Sequence, residues 1–203
     1  MSLPEEAFAP ILQELRRQSL GINAYRLKAG RGRSQAFGIV SKRSQPPDFS
    51  RNCWTRPYLY KLLLDFADKY VDIPFNAITV NENYAAAPHY DRNNVGESFL
   101  VAFGDYQGGG LKIHEGEKEG VWDVRHTPIV HDFSRALHSV EPFTGNRYSL
   151  VFYLYEDPRF VLDVPSPSVV EIDGKWFFKR GEKIITRKEG LPHPLRGRKH
   201  PPQ

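Results

Sequence analysis

Apolar residues along this chain follow two different periods. Near the N-terminus, Phe8, Ile11, Leu12 and Leu15 fall at the i, i+3, i+4, i+7 spacing of a helix face, predicting a helix over residues 4–18. Ser2-x-x-Glu5 reads as a capping box for it, with Pro4 in the first turn. Residues 28–53 hold Gly, Arg, Ser and a Pro-Pro pair, and read as extended chain and loops around a short strand, AFGIV. A second helix follows Thr55 and Pro57, with Leu59, Leu62, Leu63, Phe66 and Tyr70 on one face. From Pro74 the pattern changes to short β runs. Strands are predicted near residues 76–82, 98–104, 110–114, 128–133, 136–140 and 147–155. Gly108-Gly109-Gly110, Gly116, Gly120 and Thr144-Gly145-Asn146 are read as the turns between them. Ile172-Asp173-Gly174-Lys175 and Arg180-Gly181-Glu182 signal two further hairpins. The expected fold class is mainly β with N-terminal helices: a jelly-roll core supported by two or more helices.

The expected organisation is one domain over residues 1–190. It divides into a helical, basic support region (1–74), a β core (75–155) and C-terminal hairpins (156–190). Residues 191–203 are Pro-rich and basic, and are expected to be disordered.

Composition narrows the function classes. At 203 residues, 40% hydrophobic and 26% charged, the chain can bury one sizeable core as a soluble protein, and a monomer is expected. No apolar run approaches the roughly 18 residues needed to cross a membrane, so no membrane partner is expected. MSLPEEAFAP carries acids where a signal peptide carries bases, which points to a cytoplasmic or nuclear location and away from secretion. A single cysteine, Cys53, excludes an internal disulfide and a thiolate metal cluster. Any metal must therefore be held by histidine and carboxylate.

The net charge of +4 is unevenly spread. Residues 26–61 carry nine Lys/Arg against the single acid Asp48, and residues 175–203 carry nine more against Glu182 and Glu189. Such flanks suit a polyanion such as nucleic acid, although solvated surface accounts for the charge equally well.

The candidate chemistry lies in two short segments. In extended chain, residues two apart point to the same side, so His89 and Asp91 of Pro88-His89-Tyr90-Asp91 can face one point. Two histidines and one carboxylate form the facial set that holds Fe(II) with open positions. His-x-Asp alone is a weak signal. The second half is His138, followed after SVEPFTGN by Arg147-Tyr-Ser149. Arg147 and Ser149 again share a side, and a guanidinium fork suits a carboxylate such as that of 2-oxoglutarate. The structural alternative for Arg147 is a salt bridge to a core acid. His131 and His126 compete with His138 as third ligand, but neither has a basic residue at the matching spacing. Asn93-Asn94 reads on its own as a turn pair.

Together His89-x-Asp91, the GDYQGGGLKI stretch and the RYSLVFY strand resemble the Fe(II)/2-oxoglutarate-dependent dioxygenase superfamily. Arg-x-Ser before LVFY is most similar to the branch of ten-eleven-translocation (TET) and J-binding-protein (JBP) enzymes with their protist and viral relatives. The resemblance covers residues 75–155 well and 26–75 loosely. It implies a double-stranded β-helix, and an oxidoreductase that hydroxylates the methyl group of 5-methylcytosine or thymine in nucleic acid. His89, Asp91 and His138 correspond to the metal ligands, and Arg147 and Ser149 to the 2-oxoglutarate site. Asn94, three positions after the aspartate, corresponds to a base-contacting polar residue. The implied cofactors are Fe(II) and 2-oxoglutarate, with O2 as co-reactant and ascorbate as a possible reductant. The cysteine-rich zinc region of animal TET proteins is absent. Two other readings stand beside this one: a prolyl-type protein hydroxylase, and a jelly-roll binding module without activity.

Overall fold

The computed structural model describes residues 2–21, 30–42, 45–156 and 167–185. A 3-10 turn, Glu5–Ala7, leads into α1 (Ala9–Arg17). Next come β1 (Gly30–Lys42), β2 (Gln45–Phe49), the one-turn α2 (Asn52–Thr55) and α3 (Pro57–Tyr70). The central strands are β3 (Ala77–Ala86), β4 (Asn94–Gly108), β5 (Leu111–Ile113), β6 (Gly120–Trp122), β7 (Ile129–His131), β8 (His138–Val140) and β9 (Phe143–Tyr155). Strands β10 (Pro167–Ile172), β11 (Lys175–Arg180) and β12 (Lys183–Ile185) follow.

The strands form a six-stranded sheet in the order β2-β1-β3-β9-β4-β7 and two three-stranded sheets, β6-β5-β8 and β10-β11-β12. All the pairings between these strands are antiparallel. The architecture is the mainly β, jelly-roll-like one expected. Strand period explains the two faces of the large sheet. Phe99, Val101 and Phe103 of β4, with Leu150 and Phe152 of β9, enter the core that also holds Leu15 of α1 and Leu59, Leu63 and Phe66 of α3. The alternate residues Leu100, Ala102 and Tyr106 of β4, and Val151 of β9, belong to a second cluster with Leu111 and Ile113 of β5. The candidate site lies on this second face.

Several expectations need correction. The predicted helix over 4–18 is a 3-10 turn followed by α1, and Ser2-x-x-Glu5 is not a capping box. Pro4 occupies the cap position without a side-chain bond, while the Ser2 hydroxyl donates to the His126 carbonyl. The AFGIV strand is the interior of the thirteen-residue β1, so much of residues 28–53 is sheet where loops were predicted. β2 was missed because Gln45-Pro46-Pro47 reads as a breaker; proline is tolerated there because β2 is an edge strand. β6 was missed too. Thr144-Gly145-Asn146 is no turn but lies inside β9, opposite Gln107, Tyr106 and Asp105 in that order; the turn is Glu141-Pro142. Both late hairpins are present, and Asp173 and Gly174 adopt the positive φ of a two-residue turn. The tail 191–203 lies outside the described residues.

Cys53 is fully buried, and burial pushes its thiol up to about 12, so it stays protonated at neutral pH. No helix among the described residues is long and apolar enough to cross a membrane.

Phe152 lies on the helix-facing side with no exposure, its ring 5.3–5.9 Å from those of Phe75, Phe66 and Phe99. Phe152→Ala is expected to destabilise the fold by about 3–5 kcal/mol, measured as the shift in a urea unfolding curve.

Candidate metal centre and adjoining cavities

Past the end of β3, Pro88 and His89 bring the chain back against β8. His89 N–H donates to the His138 carbonyl at 3.0 Å, and His138 N–H returns a bond to the His89 carbonyl at 3.1 Å. This isolated antiparallel bridge sets the two imidazole centroids 4.3 Å apart. Asp91, two residues on, is fixed by its own N–H bond to the Phe133 carbonyl at 3.0 Å. Ligand atoms of His89, Asp91 and His138 all lie within 4.8 Å of one another. His89 Nε2 is 3.5 Å from Asp91 Oδ1, and His138 Nε2 is 3.8 Å from Asp91 Oδ2.

The far ring nitrogens set the tautomers. His89 Nδ1 donates to the Ala87 carbonyl at 2.7 Å, and His138 Nδ1 to the Ala136 carbonyl at 2.9 Å. A carbonyl only accepts, so both Nδ1 atoms carry hydrogen, and in the neutral imidazoles the Nε2 lone pairs face the carboxylate. With neutral rings, three electron-pair donors converge on one point, an arrangement that a cation completes. Backbone carbonyls holding Nδ1–H are the usual support for metal-bound histidine. The donor set therefore fits a divalent metal.

The competing candidates His126 and His131, and His114 as well, lie elsewhere. His126, at positive φ, stacks on Phe8 with centroids 5.0 Å apart, and His131 packs edge-on to Phe133. His114 Nε2 bonds to the Ser139 hydroxyl at 2.9 Å. None of the three joins the metal-ligand group.

Arg147 sits five residues into β9, where the sequence had suggested the strand's opening. It is 2% exposed and Ser149 is 4% exposed. No carboxylate among the described residues pairs with Arg147; its Nε donates to the Gly109 carbonyl at 3.0 Å. Burial pulls the guanidinium below its ordinary value, with the Tyr106 hydroxyl acting against that. Gly109 has φ +68, and a Cβ there would lie 2.9 Å from Arg147 Cδ, so glycine is what lets the arginine through. A narrow cavity of about 40 Å³ is lined by all three metal-ligand candidates together with Arg147, Ser149 and Asn81. That is room for about one water molecule.

A larger cavity of about 470 Å³ shares His89 and Asp91 in its lining. Thr79, Val151, Tyr153 and Tyr155 line it, along with Arg92 and Asn94. Asn94 is anchored by its N–H to the Asp91 carbonyl at 2.9 Å, and its Nδ2 donates to Ser98 Oγ at 3.2 Å. Sequence reasoning missed Asn81, Tyr106 and Tyr153. Asn81 Nδ2 donates to Ser149 Oγ at 3.1 Å, which leaves the serine hydrogen free to turn to another acceptor. Tyr153 is four residues past Ser149, so its period-2 placement was available as a signal.

No protein-family model matches the chain, and no curated protein matches it either. Solved structures do resemble it. NgTET1 in complex with 5mC DNA shares 14% identity at a TM-score of 0.51, over 76% of this chain and 69% of that one. A Pseudomonas putida prolyl-4-hydroxylase shares 16% identity at a TM-score of 0.50, over 77% of this chain and 91% of that one. The chain thus has the fold found in 2-oxoglutarate/Fe(II) oxygenases.

Titration with Mn(II) is expected to reach one ion per chain. Asp91→Ala or His138→Ala should weaken that binding more than about tenfold without changing the circular dichroism spectrum. Undiminished binding would move the metal elsewhere.

Proposed function

We propose that this chain is an Fe(II)- and 2-oxoglutarate-dependent dioxygenase that hydroxylates a C–H group, with the methyl of a pyrimidine base in nucleic acid as its substrate. One observation carries the oxygenase reading. A convergent His89–Asp91–His138 set lines the same cavity as Arg147, a buried arginine with no acidic partner among the described residues. The likeness of fold to NgTET1 and to the prolyl-4-hydroxylase is consistent with it.

In this reading His89, Asp91 and His138 hold the iron through Nε2, carboxylate and Nε2. Arg147 and Ser149 hold the carboxylate of 2-oxoglutarate remote from the metal, the first through its planar fork and the second through its hydroxyl. Asn81 keeps the Ser149 oxygen occupied as an acceptor, so that the hydroxyl donates forward. Leu100, Leu111, Val140 and Val151 wall the cosubstrate from water. Iron and 2-oxoglutarate, when bound, supply O2-dependent oxidation of a C–H bond coupled to release of succinate and carbon dioxide.

The substrate enters from the larger cavity, because His89 and Asp91 line both cavities. Its volume of about 470 Å³ falls within the range of small-molecule sites and suits one extruded nucleotide. Asn94 offers amide groups to a base edge, and the exposed Arg92 stands at the same cavity for a phosphate. The described part of the basic 26–61 stretch, including Arg31 and Arg51 on the surface, extends the cationic character; most of the 175–203 stretch lies outside the described residues.

The test is succinate release from 2-oxoglutarate by the iron-loaded protein with ascorbate, followed by mass spectrometry of nucleosides and of peptides. Succinate with oxidised pyrimidine nucleosides is the expected outcome, and Arg147→Met should raise the 2-oxoglutarate requirement at least about tenfold. Hydroxylated peptide in place of nucleoside would assign a protein substrate. No succinate above a metal-free control would leave a binding module.

A further inference from the structure

Two of the three metal-ligand candidates sit on irregular chain. Residues 87–91 lie between β3 and β4, outside both, and backbone bonds at His89 and Asp91 anchor them. Tyr90 stands between these two ligands, and its hydroxyl donates to Glu115 Oε1 at 2.6 Å. The same Oε1 accepts the Leu137 backbone N–H at 3.2 Å. Leu137 immediately precedes His138, and its carbonyl accepts the His114 N–H at 2.9 Å. One carboxylate oxygen therefore joins the residue between His89 and Asp91 to the residue before His138. Glu115 has a firm base for this, since it follows β5 by two residues and Ile113 of β5 is paired with His138.

The tie is charge-assisted. The Tyr90 bond first, and the Leu137 N–H second, hold the Glu115 carboxyl below its ordinary range, so both donors meet an anion. Both bonds lie at the surface, where such contacts add little to the stability of a fold. What they restrain is the spacing between the two halves of the centre. Leu137 also lies between His138 and Ala136, whose carbonyl holds His138 Nδ1. Fixing Leu137 thus fixes the imidazole and its acceptor together. A site of three donors needs its supporting groups fixed to a fraction of an ångström, and irregular chain alone does not provide that.

We propose that Glu115 is a positioning residue of the metal centre, its carboxylate tying Tyr90 to Leu137 and so holding His89 and Asp91 at bonding separation from His138. The inference rests on the metal-ligand reading of those three residues. It needs no contact between Glu115 and the ion.

The experiment is calorimetric titration of the full chain with Mn(II), beside the visible absorption of the Co(II)-loaded protein, which reports ligand geometry. Glu115→Ala should weaken Mn(II) binding at least about fivefold and change the Co(II) band, with the melting temperature and circular dichroism kept. Tyr90→Phe breaks the tie without altering any charge, and should act in the same direction. The double variant should be no weaker than Glu115→Ala alone, because the tyrosine acts through the carboxylate. Glu117→Ala removes an exposed charge from the same loop and leaves the tie intact, so Mn(II) affinity and the Co(II) band should stay those of the parent. Mn(II) binding by Glu115→Ala within about twofold of the parent would overturn the proposal. So would equal losses in Glu115→Ala and Glu117→Ala with none in Tyr90→Phe, which would make the effect one of charge. If Asp91→Ala loses Mn(II) while Glu115→Ala keeps it, the ligand set stands and only the role of Glu115 falls. If the parent takes up no Mn(II), the metal-centre reading falls and this proposal with it.

Discussion

Two backbone hydrogen bonds, exchanged between His89 and His138, are the constraint on which the rest of the site depends. They tie the chain leaving β3 to a three-residue strand of the facing sheet. Side chains of directly paired residues stand on the same side, so one bridge brings both imidazoles together without either strand being long. The remaining orientation comes from the backbone as well: the Ala87 and Ala136 carbonyls fix the rings two residues back from each histidine. The frame of the centre is built from main-chain atoms that any sequence would supply, and the ligand side chains add only the donor identities.

The large sheet then divides labour between its faces. The aromatic side packs Phe66, Phe99 and Phe152 under α3 and carries the stability of the layer. The opposite side carries a row of small and polar residues that a core does not need. Ser34, Asn81, Ser149 and Ala102 are paired across four neighbouring strands, all at most 8% exposed. Polar groups in so buried a place cost free energy unless paired. The first three form a seam that ends two residues from Arg147 on β9.

The period-2 logic that joined His89 to Asp91 and Arg147 to Ser149 needed only local geometry, and it was legible in the sequence. The histidine-to-arginine connection was legible for the wrong reason. Gly145 reads in sequence as the turn, yet it lies within β9 and the chain reverses at Glu141-Pro142. Positive φ at Gly145 lets the strand pass close to the Asp105 carbonyl, a long-range contact that no neighbouring residue announces. The Ser2 misreading has a similar origin: its hydroxyl had a better partner 124 positions away, in the His126 carbonyl. Asn81 escaped notice because in sequence it sits in an ordinary strand, and Tyr106 because it falls between the predicted strands 98–104 and 110–114, beside the glycine run. Their meaning comes from cross-strand register, and register over fifteen residues with a bulge between Val95 and Ser98 is not written in composition.

A buried arginine without an acid is an expensive thing for a fold to keep. The desolvation that lowers the Arg147 proton affinity is the same quantity that makes an unpaired cation unfavourable in the core. A purely structural arginine would have been given a carboxylate, and the same face of the sheet offers none among the described residues; Gly109 instead gives up a side chain so that the guanidinium can reach inward. Expense of this kind is expected where a ligand supplies the missing charge. The metal set asks for a cation and the arginine for an anion, and the two lie on one narrow cavity. A molecule that chelates at one end and carries a free carboxylate at the other satisfies both demands at once. In the proposed reading, this complementarity ties the two halves of the site to a single cosubstrate more firmly than either half does alone.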